Sequence, residues 1–291
     1  MIYDIAVIGG GPAGLSAAVQ ARQRNRTAVV VSGDDRDGPL SKTERVDNYL
    51  GIPGVTGPQL VERVKGHARA KGVERATGRA LNTMPLNGTF YIGVGSELVQ
   101  ARAVVLAPGV VRRAKFPGEA EHMGAGVSYC ATCDGMLYRG RDVVVAGRSA
   151  EAPEEANYLH GLGCRVTYTA PARPEDLNQE IPFVKAARIE VCGDGKVTSV
   201  KADGQEIPCD GVFILRSAVA PTDLLPALEL KDGYIAVDRD MATNIPGVFA
   251  AGDCTGQPLQ ISKAVGEGQV AGHRAAEYLD RLDRLDREQN G

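Results

Sequence analysis

One stretch near the start, YDIAVIGGGPAGLSAAVQARQRN, constrains the fold more than any other. Ile5 to Ile8 form an apolar run of β character, glycines follow, and helical periodicity takes over at Leu15, Ala18, Val19 and Arg22. TAVVVSG then supplies a second buried strand, so the segment predicts a βαβ unit. Gly9, Gly11 and Gly14 fill a G-x-G-x-x-G pattern at the strand-to-helix junction. The first makes the turn, the second lets the backbone approach a pyrophosphate, and the third lets helix and strand pack closely. The helix N-terminus then faces the phosphates with its free amides. A glycine-rich turn with no ligand is the alternative. Ser32 stands where an acid would hold the ribose, with Asp34 and Asp35 just beyond, and the sequence leaves the ribose contact open between those two.

The chain of 291 residues can form one large domain or two ordinary ones. A net charge of -3 speaks against a nucleic-acid binder, and no apolar run reaches the length of a membrane span. With the first strand starting at Ile2, no signal peptide is expected, and a cytoplasmic location is. Six cysteines in such a compartment do not form a disulfide framework. Only Cys130 and Cys133 lie close together, in YCATCDG, which reads as half a zinc site, a staple or a working disulfide. Cys164, Cys192, Cys209 and Cys254 are scattered singly, as are His67, His122, His160 and His273, so no second ligand pair is available and no metal is expected. The redox reading leads. The isolated cysteines read as small buried apolar groups.

ARAVVLAPG is a further strand, and a basic, proline-punctuated linker follows it. RDVVVAG opens a second βαβ unit, and RIEVCGDGKVTSVKADGQEIPCDGVFIL reads as hairpin strands. NIPGVFAAGDC and QISKAVGEGQVAGHRAAEYL suit the first domain better than the second. The expected fold class is therefore α/β, two Rossmann-like three-layer nucleotide-binding domains with the second inserted into the first. The expected boundaries are 1–114, 115–217 and 218–291. Leu279, Leu282 and Leu285 mark one face of a C-terminal helix.

GGGPAGLSAAVQA, ERVDNYLGIPG, CATCDGMLYRGRDVVVAG and IPGVFAAGDC…KAVGEGQVAG, in that order, resemble the low-molecular-weight thioredoxin reductases over nearly the whole chain. The resemblance implies a homodimer whose FAD domain is interrupted by a pyridine-nucleotide domain carrying a redox-active disulfide, with thioredoxin or a similar small dithiol protein as acceptor. Carried onto this sequence, Gly9, Gly11, Pro12, Ala13 and Gly14 match the FAD pyrophosphate loop. Gly252 and Asp253 match the support of the ribityl and phosphate region. Gln260 and Ile261 match the segment at the flavin ring, with Asn48 on the flavin side. Cys133 matches the thiol that meets the flavin, Cys130 the thiol that attacks the partner disulfide, and Asp134 the acid that manages a proton. The chemistry suits these roles: a reduced flavin delivers two electrons at once to a disulfide it touches, leaving one thiol for exchange. If Asp134 begins a helix, the helix amides lower the nearer thiol's pKa; otherwise it serves as a simple N-cap.

The second fingerprint departs from the family. Its G-x-G-x-x-A falls on Gly147, Ser149 and Ala152, so a side chain stands where a pyrophosphate would approach. Pro153 removes an amide from the helix's first turn, and Glu151 adds negative charge. The family's NADPH enzymes grip the 2′-phosphate with a His-Arg-Arg cluster, whereas this chain reads VTYTAPARPED, leaving only Arg173, expected to be a solvated surface residue. NADPH is thus disfavoured, and the sequence resembles the NADPH-independent relatives, the ferredoxin-dependent flavin thioredoxin reductases and the diflavin-linked disulfide oxidoreductases. Those two give ferredoxin or a second flavin as the donor. A ferredoxin would need a basic face, for which Arg112, Arg113, Lys115, Arg69, Lys71, Arg75 and Arg79 are candidates, though each also reads as ordinary solvated charge. A divergent NADPH enzyme and a flavin-bound redox sensor without turnover are the rivals.

Overall fold

The computed structural model describes residues 1–33, 38–110, 115–216 and 220–290. Two compact units emerge: Met1–Val111 with Ala218–Gly291, and Arg112–Ser217 between them. Asp34, Asp35, Arg112, Arg113 and the expected domain-end residues 114, 217 and 218 lie outside the described residues. In the first unit, β1 (Ile2–Ile8), α1 (Pro12–Gln23) and β2 (Ala28–Ser32) form the βαβ start, followed by α2 (Gly57–Ala70), β3 (Glu74–Thr77), β4 (Ala80–Leu86), β5 (Thr89–Val94) and β6 (Glu97–Leu106). The order β3-β2-β1-β6 is parallel, and the antiparallel β5 and β4 extend it past β6. Because successive side chains point to opposite faces, Ile5 and Val7 pack with α1 while Ala6 and Ile8 pack with Phe90 and Ile92. That is why β1 is apolar throughout its buried half, Ile5 to Ile8. Thr56 starts α2 through a capping box: its hydroxyl accepts from Gln59 N, and its amide donates to the Gln59 side chain.

The second unit contains β7 (Val127–Ser128), α3 (Ala131–Asp134), β8 (Asp142–Arg148), α4 (Ala152–Gly161), β9 (Arg165–Ala170), β10 (Phe183–Lys185), β11 (Ile189–Asp194), β12 (Lys196–Ala202), β13 (Gln205–Pro208) and β14 (Gly211–Arg216). A parallel sheet runs in the order β10-β9-β8-β14-β7. Val143, Val145 and Phe213 pack with Ala156 and Leu159 of α4; Val144, Val212 and Ile214 face Val191, Val197 and Val200 of the antiparallel β11-β12-β13 layer. The unit is three-layered, with strands as its third layer. The expected run of hairpins is correct for β11 to β13 and wrong for β14, whose apolar GVFIL is a central parallel strand between β8 and β7.

The chain returns to the first unit through α5 (Pro221–Leu224), β15 (Leu230–Lys231), β16 (Tyr234–Ile235), β17 (Val248–Ala250) and α6 (Ile261–Asn290). β17 joins β6 in parallel, completing seven strands among the described residues. α6 lies against α1 at backbone distance: a Cβ on Gly268 would stand 2.1 Å from the Ala13 carbonyl oxygen, and one on Gly272 2.3 Å from that of Ala17. Ser16 Oγ donates to Val265 O across the same contact. Farther along, Asp280 and Asp283 pair with Arg26, Arg24 pairs with Asp280, and Arg102 pairs with Asp283. Leu279 is buried, Leu282 packs against the core and Leu285 is half exposed, so the leucine face is mostly spent within the unit. Among the described residues no helix is long and apolar enough to cross a membrane. Gly272→Val should cost about 3 kcal/mol of stability by overpacking, whereas Leu285→Ala should stay within about 0.5 kcal/mol; urea denaturation followed by circular dichroism checks both.

Candidate active site

In the first unit the glycine loop has the geometry of a phosphate cradle. Gly9 has φ +116°, and a Cβ there would meet the Ala107 carbonyl oxygen at 2.1 Å; a Cβ on Gly14 would meet Gly9 O at 1.9 Å. These two glycines are demanded by the chain itself. Gly11 is not: it is exposed, its φ of -79° suits any residue, and a Cβ would meet nothing within 4 Å. Open space over the first turn of α1, at Pro12 and Ala13, is what a dinucleotide pyrophosphate needs, so the residues present fit FAD.

Gly252, at φ +90°, closes against Ala13, where an added Cβ would lie 2.7 Å from the Ala13 Cβ. Glu267 accepts from Gly252 N at 2.9 Å and from Thr255 Oγ1 at 2.8 Å, while Lys263 Nζ donates to Gly252 O at 2.9 Å and Gly256 O at 2.8 Å. Two residues of α6 thus fix the turn that carries Asp253. Burial pushes the Asp253 carboxyl above its ordinary range, Lys263 opposes this and Glu267 reinforces it. Asn48 Nδ2 donates to Gln260 Oε1 at 2.9 Å, joining two predicted flavin-side residues 212 positions apart, and Ile261 begins α6 beside them. Lys263 and Glu267 were not anticipated; their i,i+4 spacing after the AGDC run was the available signal.

In the second unit Cys130 and Cys133 form a disulfide with Cα atoms 5.4 Å apart. Cys130 is buried and Cys133 exposed. The Cys130 sulfur accepts from Cys133 N at 3.0 Å and lies 3.4 Å from Thr132 Oγ1. Asp134 does not begin α3; it stands at the N-cap position of the 3-10 turn Gly135–Tyr138 that follows, without a capping hydrogen bond from its side chain. Cys130 is the N-cap of α3, and Asp134 closes that helix, accepting from Ser128 Oγ at 2.7 Å. Ser128 Oγ also accepts from Cys130 N at 3.1 Å, so one buried hydroxyl links the first cysteine to the acid. Ala131 N donates to Glu155 of α4 at 3.3 Å. Ser128 and Glu155 were missed, because neither role has a local sequence pattern.

At the carboxyl ends of β8 and β14, where a doubly wound sheet receives its nucleotide, side chains of the unit itself gather. Arg148 and Arg216 end these strands as register partners. Both guanidinium groups lie over the Phe116 ring, at 5.5 and 4.8 Å. Arg148 donates to Gly147 O and Thr169 O at 2.7 and 3.0 Å, across the ends of β8 and β9. A Cβ on Gly147 would stand 1.8 Å from the Tyr168 hydroxyl oxygen, so this glycine makes room for a buried tyrosine. Glu151, Glu154 and Glu155 place three carboxylates at the start of α4, with Pro153 among its first residues. Arg173 is not a solvated surface residue as expected: it donates to Ile181 O and Asn178 O and lies over the Phe183 ring.

Among the candidate basic residues, Arg69 pairs with Glu62 and Arg75 donates to Ser32 Oγ and Gly33 O. Cys164, Cys209 and Cys254 are buried, with burial pushing their thiols up, to about 12 for the latter two. Cys192, expected to be buried, is half exposed on β11. Among the described residues no group of three or more His, Cys, Asp or Glu side chains could hold a metal ion.

Residues 3–268 match the family model described as pyridine nucleotide-disulphide oxidoreductase. A thioredoxin reductase of Listeria innocua is 36% identical over 97% of this chain and 95% of its own length. A ferredoxin-flavin thioredoxin reductase of Clostridium acetobutylicum superposes with a TM-score of 0.92 at 38% identity, covering 97% of this chain and 99% of that one. A thioredoxin reductase of Gloeobacter violaceus gives 0.83 at 32% identity, covering 96% and 94%.

Two variants test the cradle. Gly11→Ser supplies a better N-cap in open space, so apoprotein stability should hold or rise while bound flavin falls at least about tenfold, read from absorbance after desalting. Asp253 has a folded pKa above its unfolded value, so its ionised form weakens the fold above the ordinary carboxylate range, and this penalty disappears as pH falls below it. Asp253→Asn should therefore raise the apoprotein's melting temperature at pH 7 and leave it unchanged near pH 3.

Proposed function

The chain belongs to the pyridine nucleotide-disulphide oxidoreductase family, within its low-molecular-weight thioredoxin reductases, and we propose that it uses FAD to reduce thioredoxin or a similar small protein disulfide with electrons from a ferredoxin-type protein. The observation that carries the donor is the Arg148–Phe116–Arg216 cluster. It stands at the strand ends where a doubly wound sheet receives its nucleotide, which argues against a pyridine nucleotide, and the carboxylates at the start of α4 repel phosphate where a helix N-terminus ordinarily attracts it. Likeness to a ferredoxin-flavin thioredoxin reductase supports the choice.

Bound FAD supplies the two-electron reduction of the Cys130–Cys133 disulfide. Cys130 is the better thiolate, since the Cys133 amide and the Thr132 hydroxyl face its sulfur. It attacks the acceptor disulfide and forms a mixed disulfide, one acceptor thiol leaving with a proton. Cys133 then attacks Cys130, restoring the internal disulfide and releasing the second acceptor thiol. Asp134, which accepts from Ser128, is the acid assigned to take and return the proton.

Exposure alone would favour Cys133 as the attacking thiol, so the roles require a direct test. Cys133→Ser should trap thioredoxin as a stable mixed disulfide on Cys130, and Cys130→Ser should trap at least about tenfold less. Both should lose turnover about a thousandfold or more while keeping flavin. Turnover persisting in Cys133→Ser would remove the mechanism.

A further inference from the structure

Glu119 is fully buried, yet no step above uses it. Its carboxylate accepts from Arg216 at 2.6 and 2.7 Å, from Phe116 N at 2.7 Å and from the Tyr129 hydroxyl at 2.8 Å. Burial alone would push this carboxyl up; the Arg216 guanidinium, the Phe116 amide and the Tyr129 hydroxyl together hold it below the ordinary carboxylate range. Phe116 and Arg216 lie near the two ends of the second unit, and Tyr129 immediately precedes Cys130. The segment Ser128–Cys130 is therefore held from two directions. Ser128 ties it to Asp134 within the redox turn, and Tyr129 ties it through Glu119 to the end of β14.

We propose that Glu119 is a positioning residue for the Cys130–Cys133 pair, acting through the Tyr129 hydroxyl to hold the Cys130 backbone where the disulfide closes. This rests on the reading that the pair is the working dithiol. A turn whose first cysteine is free to swing away presents its two thiols to each other at lower effective concentration, which weakens the closed form. Bracing residue 129 favours the disulfide; releasing it makes reduction easier. A clamp that served the fold alone would change melting temperature and leave this equilibrium in place.

The test equilibrates the holoprotein anaerobically with dithiothreitol redox buffers, traps thiols by alkylation and quantifies the Cys130–Cys133 peptide by mass spectrometry. In this exchange the protein S–S bond breaks and two thiols form, while two dithiothreitol thiols close to the cyclic disulfide, so two electrons and two protons are transferred. Tyr129→Phe should shift the equilibrium about tenfold toward the dithiol, about 30 mV for this couple. Glu119→Leu/Arg216→Met removes the buried ion pair as a unit, leaving no lone charge, and should shift it the same way. Adding Tyr129→Phe to that variant should produce no further shift. An equilibrium within about twofold of the parent in Tyr129→Phe, or a full additional shift in the combined variant, overturns the role. Failure of the parent reading looks different: a pair that cannot be reduced and reoxidised, or turnover in Cys133→Ser, removes the working dithiol and the positioning role with it.

Discussion

Two guanidinium groups end neighbouring parallel strands at Arg148 and Arg216, and the buried carboxylate of Glu119 makes that arrangement tolerable. Like charges side by side on a sheet repel, and the Arg216 side chain, 12% exposed, has little water to screen it. Glu119 neutralises one, four backbone carbonyls take up the other, and the face of Phe116 lies against both. Strand ends that in a doubly wound sheet receive a nucleotide here carry part of the unit's own packing. The proposed electron donor rests on that arrangement, and the same carboxylate links Arg216 to the residue before Cys130.

The first unit presents the opposite case. Gly9 and Gly14 are compelled by backbone contacts and Gly268 and Gly272 by the approach of α6 to α1, but Gly11 answers to nothing within the chain. A glycine without an internal reason beside a helix N-terminus is the physical mark of a ligand's volume. Lys263 and Glu267 hold the neighbouring turn from α6, so the return of the chain to this unit completes the cradle that its beginning starts.

The parts legible in sequence were those with local patterns: the glycine loop after an apolar strand, the paired cysteines, and the loss of the second fingerprint at Ser149 and Pro153. A hairpin turn at Asn87-Gly88, with φ of 50° and 74°, carried a strong signal that was passed over. β14 was misread because a short apolar run has the same composition in a hairpin as in a central parallel strand, and only its neighbours decide. Arg148, Arg216 and Phe116 could not have been joined from sequence, since 68 residues separate the two arginines that the sheet sets side by side. Ser128 and Glu155 were hidden for a related reason: a hydroxyl and a carboxylate acquire their roles only once the redox turn is folded against them.

The central claim is that electrons reach this protein without a pyridine nucleotide. The direct measurement follows the flavin absorbance of the purified holoprotein under anaerobic conditions while NADPH, NADH and then photoreduced ferredoxin are added. The Arg148–Phe116–Arg216 cluster predicts no bleaching by either nucleotide and, with the proposed donor, rapid bleaching by ferredoxin, followed by thioredoxin reduction that requires Cys130 and Cys133. Bleaching by micromolar NADPH would contradict it, because a nucleotide would then be binding where Arg148, Phe116 and Arg216 stand.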